Sequence, residues 1–234
     1  MGGAWWRVVR RRAAWCLVLV ALSGLAGCTL RSRWAGAALA SIATLDDQRE
    51  VAEASAGSVY SVSAVACGEV RRATGFLAGG LVVTNAHIAG GAERLDLSGP
   101  GVLASAQVSR VGVGVDLAVA PLGLRGGLTW ADDDPAIGDR LVVVGRGSGV
   151  FLWRPATVAL YGDPAVYGGE GPVLLLDAST EPGFSGGAVL DLDGEVVGVL
   201  RAVDTATGLA VAEPVSSYRD WVARDKYGDQ KTSC

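Results

Sequence analysis

Three side chains have types and settings suited to nucleophilic chemistry: Ser185, His87 and Asp116. Ser185 lies in Glu181-Pro182-Gly183-Phe184-Ser185-Gly186-Gly187, where glycines let the backbone turn sharply and bring amides close to a ligand. A serine hydroxyl is a poor nucleophile at neutral pH and needs a base within hydrogen-bond reach. His87 is the one histidine of the chain, so no other imidazole can serve. Such a base needs an acid that fixes its tautomer and steadies the imidazolium. Asp116, in Asp116-Leu117-Ala118-Val119, is a lone carboxylate opening an apolar run, and an acid so placed needs a partner. Taken singly, each has a bland reading: a core histidine, a turn aspartate, a loop serine. Their joint order and contexts favour catalysis.

Chain order narrows the chemistry. The serine also satisfies G-x-S-x-G, but the nucleophile elbow of α/β-hydrolases requires a histidine after the serine, and His87 lies 98 residues before Ser185. His, then Asp, then Ser differs from the subtilisin order and agrees with the chymotrypsin order.

The elements that must hold these residues are strands. From Ser58 onward short apolar runs succeed one another: 59–65, 75–84, 102–111, 116–121, 140–145, 150–160, 173–177, 188–192, 195–203 and 209–212. Turn signals such as Asp193-Gly194 separate them. About ten strands so spaced predict a barrel or sandwich. A short helix is predicted over Tyr218 to Lys226, with Ser216 or Ser217 as its N-cap. Gly145-Arg146-Gly147-Ser148-Gly149 reads as a hairpin loop and not a phosphate cradle, because another strand follows it. Asp132-Asp133-Asp134 reads as solvated, and Trp130, Trp153 and Trp221 as packing residues.

The first residues read as an address. Arg7, Arg10, Arg11 and Arg12 precede an apolar run, 13–26, shorter than a membrane-spanning helix requires. The run closes in Leu25-Ala26-Gly27-Cys28, which resembles the lipobox of bacterial lipoproteins, cut before a cysteine that is then lipidated. The expected organisation is a signal peptide at 1–27, a lipid-anchored tether at 28–56 containing a weakly amphipathic helix, a globular domain at 57–226 and a tail at 227–234. The expected location is the outer face of a bacterial membrane, held through Cys28. Processing removes four of the 20 basic residues and none of the 24 acidic ones, so the mature chain carries a formal charge of −8. Nucleic acid is therefore not an expected partner. Cys67 and Cys234 then remain as a pair that could be joined by a disulfide. A single histidine and no C-x-x-C spacing leave no ligand set for zinc, and no metal or other cofactor is expected.

In Thr84-Asn85-Ala86-His87, Asp116-Leu117-Ala118-Val119 and Gly183-Phe184-Ser185-Gly186-Gly187 the chain resembles the trypsin/chymotrypsin-like serine proteases, above all their HtrA-type bacterial branch. Thr74-Gly75-Phe76, Gly138-Asp139 and Val197-Gly198-Val199 add lesser matches, and together these cover 57–226. The resemblance implies an all-β fold of two packed six-stranded antiparallel β-barrels, with His87 and Asp116 in the first and Ser185 in the second. It implies a serine endopeptidase acting on protein or peptide substrates, with His87, Asp116 and Ser185 as triad and the amides of Gly183 and Ser185 as oxyanion hole. By the same analogy Ser179 floors the primary specificity pocket, where a small neutral residue suits small or aliphatic side chains. Phe184 departs from the family. Digestive members carry there the aspartate that pairs with a newly cut N-terminus, so that mode of activation is not expected. The rival reading is a catalytically degenerate lipoprotein that uses the same barrels for binding or as a scaffold.

Overall fold

The structure is a computed structural model and describes residues 45–224. The expected signal peptide, Cys28, most of the tether and the tail from 227 on lie outside the described residues. A helix over 45–55 (α1) leads through a 3₁₀ turn, Ala56–Ser58, into the first strand. Within the expected tether, residues 47–55 pack on the strands: Gln48 is buried, Ala52 joins the core, and Gln48 Nε2 donates to the carbonyl of Leu141 at 2.8 Å.

Seven strands form the first sheet: β1 (Val59–Ala66), β2 (Glu69–Ala78), β3 (Leu81–Thr84), β4 (Ala92–Gly99), β5 (Val102–Gln107), β6 (Arg110–Val111) and β7 (Ala118–Pro121). Their order is β5-β4-β1-β2-β3-β7-β6, every pairing antiparallel. The expected closed six-stranded barrel is here a curled sheet. Its two edges, β5 and β6, are halves of one apolar run broken only at Val108 and Ser109, where the amides turn to Glu93 and Val119. Six strands close the second barrel, in the order β10-β13-β12-β11-β8-β9: β8 (Arg140–Gly145), β9 (Leu152–Gly162), β10 (Val173–Asp177), β11 (Ala188–Leu190), β12 (Val196–Val203) and β13 (Ala210–Pro214). Short helices α2 (Ala86–Ala89) and α3 (Pro164–Tyr167) sit in connections, and α4 (Val215–Ala223) follows β13.

Most apolar runs became strands, with further differences besides the split of 102–111. The run 75–84 is two strands folded back at Gly79-Gly80, both with positive φ. Strand β4 carries Glu93, Arg94 and Asp96 outward while Leu95 and Leu97 are buried, so its alternation was diluted by charge. Helix α4 begins at Val215 without a serine cap. Instead Asp134 caps it from across the barrel, accepting from the Ser216 amide at 2.9 Å and the Ser216 hydroxyl at 2.6 Å. Asp134 is thus partly buried and bonded, not solvated. The hairpin loop expected at 145–149 joins β8 to β9 over 146–151, with Gly145 closing β8. Trp130 stacks on Tyr218 with ring centroids 3.9 Å apart, and Trp221 is buried.

One apolar cluster joins the two halves. Val59, Phe76, Val83 and Leu117 of the first sheet meet Val142, Val144, Leu190 and Val196 of the barrel, with Trp221 of α4. Each large side chain buried there is worth about 1.5–3 kcal/mol. This cluster fixes the seam along which the candidate residues His87, Asp116 and Ser185 lie.

Candidate active site

His87 enters the seam at the end of β3, where Asn85 is extended (φ −85°, ψ 152°) and the chain turns into α2. Asp116 comes from the β6–β7 connection, closed by Gly112 N–H donating to Leu117 O at 2.7 Å. Asn85 Nδ2 donates to the Asp116 carbonyl at 2.9 Å and so ties the two loops together. The Asp116 carboxylate then holds His87 at two points: Oδ1 accepts the His87 backbone N–H at 2.9 Å and Oδ2 lies 2.7 Å from Nδ1. A carboxylate only accepts, so the ring proton sits on Nδ1 and Nε2 is left with a free lone pair.

Ser185 sits between β10 and β11. Glu181-Pro182-Gly183-Phe184 forms a turn closed by Phe184 N–H to Glu181 O at 3.2 Å, with Gly183 at φ +100° as the third turn residue. The Phe184 ring is 3% exposed and packs into the barrel core, so apolar burial anchors this loop. Gly186 has φ +81°, and a Cβ there would stand 2.1 Å from Thr74 O. That close approach lets Thr74 receive the loop: its N–H donates to Ser185 O at 2.9 Å and its hydroxyl to Gly183 O at 2.6 Å. Among the described residues the amides of Gly183 and Ser185 donate to no protein group.

His87, Asp116 and Ser185 line one open cleft of about 590 Å³, together with Arg201 and with Gly114 and Gly168 at its rim. The Ser185 hydroxyl does not bond to His87; it donates to the carbonyl of Arg201 at 3.1 Å. Ser179 is exposed and does not line this cleft, so its pocket role rests on the resemblance alone. Cys67, on the β1–β2 turn near His87, is disulfide-bonded, and Cys234, with which the sequence left a bridge open, lies outside the described residues. Among the described residues no cluster of His, Cys, Asp and Glu could hold a metal ion.

Two residues the sequence reading passed over complete the site. Arg201 of β12 places Nε 3.6 Å from Asp116 Oδ2 and Nη1 3.3 Å from Glu213 Oε1. Glu213 of β13 is buried and accepts the Asp116 backbone N–H at 3.2 Å. Burial pushes the Glu213 carboxyl up from its ordinary pKa, while the Asp116 amide and the Arg201 guanidinium pull the other way.

A model of the trypsin-like peptidase domain matches residues 73–199, a span that takes in His87, Asp116 and Ser185. The chain belongs to the trypsin-like peptidase family. Serine protease Rv3671c of Mycobacterium tuberculosis is 32% identical over 172 residues, covering 67% of this chain and 43% of that protein. The chain therefore spans less than half the length of this curated relative. The active form of the Rv3671c protease superposes with a TM-score of 0.65 at 26% identity, over 76% of this chain and 85% of that one. The HtrA-type protease AlgW, solved with a tripeptide, shares the fold with a TM-score of 0.66 at 22% identity, over 74% of this chain and 61% of that one.

Proposed function

We propose that the chain is a serine endopeptidase that cleaves peptide bonds through an acyl-enzyme, with Ser185 as nucleophile, His87 as general base and Asp116 as its orienting acid. The observation that carries this is the two-point grip of Asp116 on His87, which leaves Nε2 as acceptor in the cleft that also holds Ser185. The mechanism requires the serine hydroxyl to exchange the Arg201 carbonyl for the imidazole, with rotation about the Cα–Cβ bond as the motion that releases it. Ser185 Oγ then bonds to the substrate carbonyl carbon as its proton passes to His87 Nε2. The amides of Gly183 and Ser185, without protein acceptors, receive the oxyanion. The tetrahedral intermediate collapses with the C–N bond breaking and the proton passing from His87 to the leaving amine. Water, deprotonated by His87, releases the acyl group and restores the serine.

The relative solved with a bound tripeptide supports a peptide substrate. The sequence Leu25-Ala26-Gly27-Cys28 supports attachment of the mature chain to the outer face of a bacterial membrane through a lipidated Cys28. Incubation with a fluorophosphonate probe tests the chemistry. Wild-type protein labels at Ser185, and Ser185→Ala does not label and loses on the order of 10⁶ in kcat on a cleavable peptide. Equal behaviour of the two proteins would reject the mechanism. Metabolic incorporation of labelled palmitate, abolished in Cys28→Ala, tests the anchor.

A further inference from the structure

Strands β12 and β13 read Val-Val-Gly-Val-Leu-Arg-Ala-Val and Ala-Val-Ala-Glu-Pro, apolar apart from Arg201 and Glu213. The ladder pairs Leu200 with Ala212 and Ala202 with Val211, so Arg201 is the extra residue of a β-bulge. A bulge re-aims the side chain it carries. Here it sends the Arg201 guanidinium out of the barrel toward Asp116 and turns the Arg201 carbonyl to the Ser185 hydroxyl. Glu213 Oε1 accepts from both Arg201 Nη1 and the Asp116 amide, which closes a ring: Asp116 N–H to Glu213, Arg201 to Glu213, Arg201 to Asp116 Oδ2. The ring crosses the seam, because Asp116 belongs to the first sheet and the other two to the second barrel. Packing gives no reason for it, since apolar residues of similar volume commonly replace a buried ion pair at no loss of stability.

Resting on the serine peptidase reading, we propose that Arg201 and Glu213 are a positioning pair that holds the Asp116 carboxylate in register with the second barrel and sets the basicity of His87. Among the described residues the charged groups facing His87 are Asp116 from the β6–β7 connection, Arg71 of β2, which donates to the His87 carbonyl at 2.8 Å, and Arg201 of β12, with Glu213 of β13 behind it. Asp116 Oδ2 divides its attraction between the imidazole and the guanidinium. The positive charge of Arg201 disfavours the imidazolium, and the negative charge of Glu213 moderates that effect.

The two members thus act with opposite sign, which a purely structural role does not produce. The experiment measures the rate constant for labelling of the full mature chain by diisopropyl fluorophosphate across about pH 5 to 9, where a histidine base gives a rising limb. Arg201→Gln moves the midpoint of that limb up and lowers the plateau roughly tenfold or more. Arg201→Lys returns the charge without the planar fork, so it restores the midpoint but not the plateau. Glu213→Gln keeps an acceptor for the Asp116 amide, removes the negative charge and moves the midpoint down. Thermal melts identify variants that fail to fold; if Arg201→Gln is one, Arg201→Lys and Glu213→Gln decide. Midpoints within about 0.2 unit of wild type in the folded variants overturn the proposal. Wild-type protein that labels no better than Ser185→Ala overturns the peptidase reading itself, a separate and recognisable failure.

Discussion

Replacing Asp116 by asparagine changes one atom and should nearly abolish turnover while leaving the chain folded. Asp116 offers Oδ1 to the His87 backbone N–H at 2.9 Å and Oδ2 to Nδ1 at 2.7 Å. An amide has only one acceptor end. The backbone N–H can only donate, so it claims the amide oxygen, and the NH₂ group is left facing Nδ1. The opposite orientation sets NH₂ against that backbone donor and forfeits its bond. With NH₂ beside it, Nδ1 must accept, and the ring proton moves to Nε2, the atom that has to receive the serine proton. Arg201 Nε, a donor that favours the amide oxygen at the Oδ2 position, lies 3.6 Å away, beyond hydrogen-bond distance, and does not outweigh the 2.9 Å backbone bond. The wrong tautomer lowers kcat by about 10⁴, equivalent to about 5.4 kcal/mol of transition-state stabilisation. The assay is the fluorophosphonate labelling rate beside peptide turnover, with circular dichroism to establish folding. A folded Asp116→Asn protein that labels within about tenfold of wild type contradicts the tautomer argument, and with it the role given to the carboxylate.

Two further outcomes concern the scaffold. Phe184→Ala opens a cavity beneath the loop that carries Ser185 and is expected to cost about 3–5 kcal/mol in a denaturant titration; a loss below about 1 kcal/mol means that burial of the ring is not what anchors the loop. Tyr161 donates to the Pro135 carbonyl at 2.6 Å, and burial, with Asp134 and Asp139 nearby, pushes its phenol up to about 12. The folded pKa stands above the ordinary value of 10.0, so the stabilisation is complete below about pH 10 and is lost as pH rises toward 12. Tyr161→Phe should therefore flatten the decline in stability across that window, and parallel declines in the two proteins would show that the phenol is not held in its protonated form.

The fold could be read from the chain, and the three residues singled out in it line one cleft, because strands and candidate groups each leave a local signature. Short apolar runs between glycine turns announce strands, and a serine among glycines, a single histidine and a carboxylate opening an apolar run announce chemistry. What escaped has a common physical origin in contacts between separate elements of the fold. Asp134 looks like one of three solvated acids until α4 brings the Ser216 amide and hydroxyl to it. The break at Val108 and Ser109 that makes two strands of one run depends on where β4 and β7 diverge, which no window of residues records. Arg201 and Glu213 are the instructive case. The argument that singled out Asp116, that a lone charge in an apolar run must have a partner, applies with equal force to an arginine inside Val196–Val203 and a glutamate inside Ala210–Pro214. Three unmatched charges in three apolar segments are most economically satisfied by one another, and the structure pairs them so. The rule therefore identifies the members of a buried polar network from sequence. It does not identify the β-bulge that aims Arg201 at Asp116, because a one-residue shift in strand register is a property of the ladder and not of the residue within it.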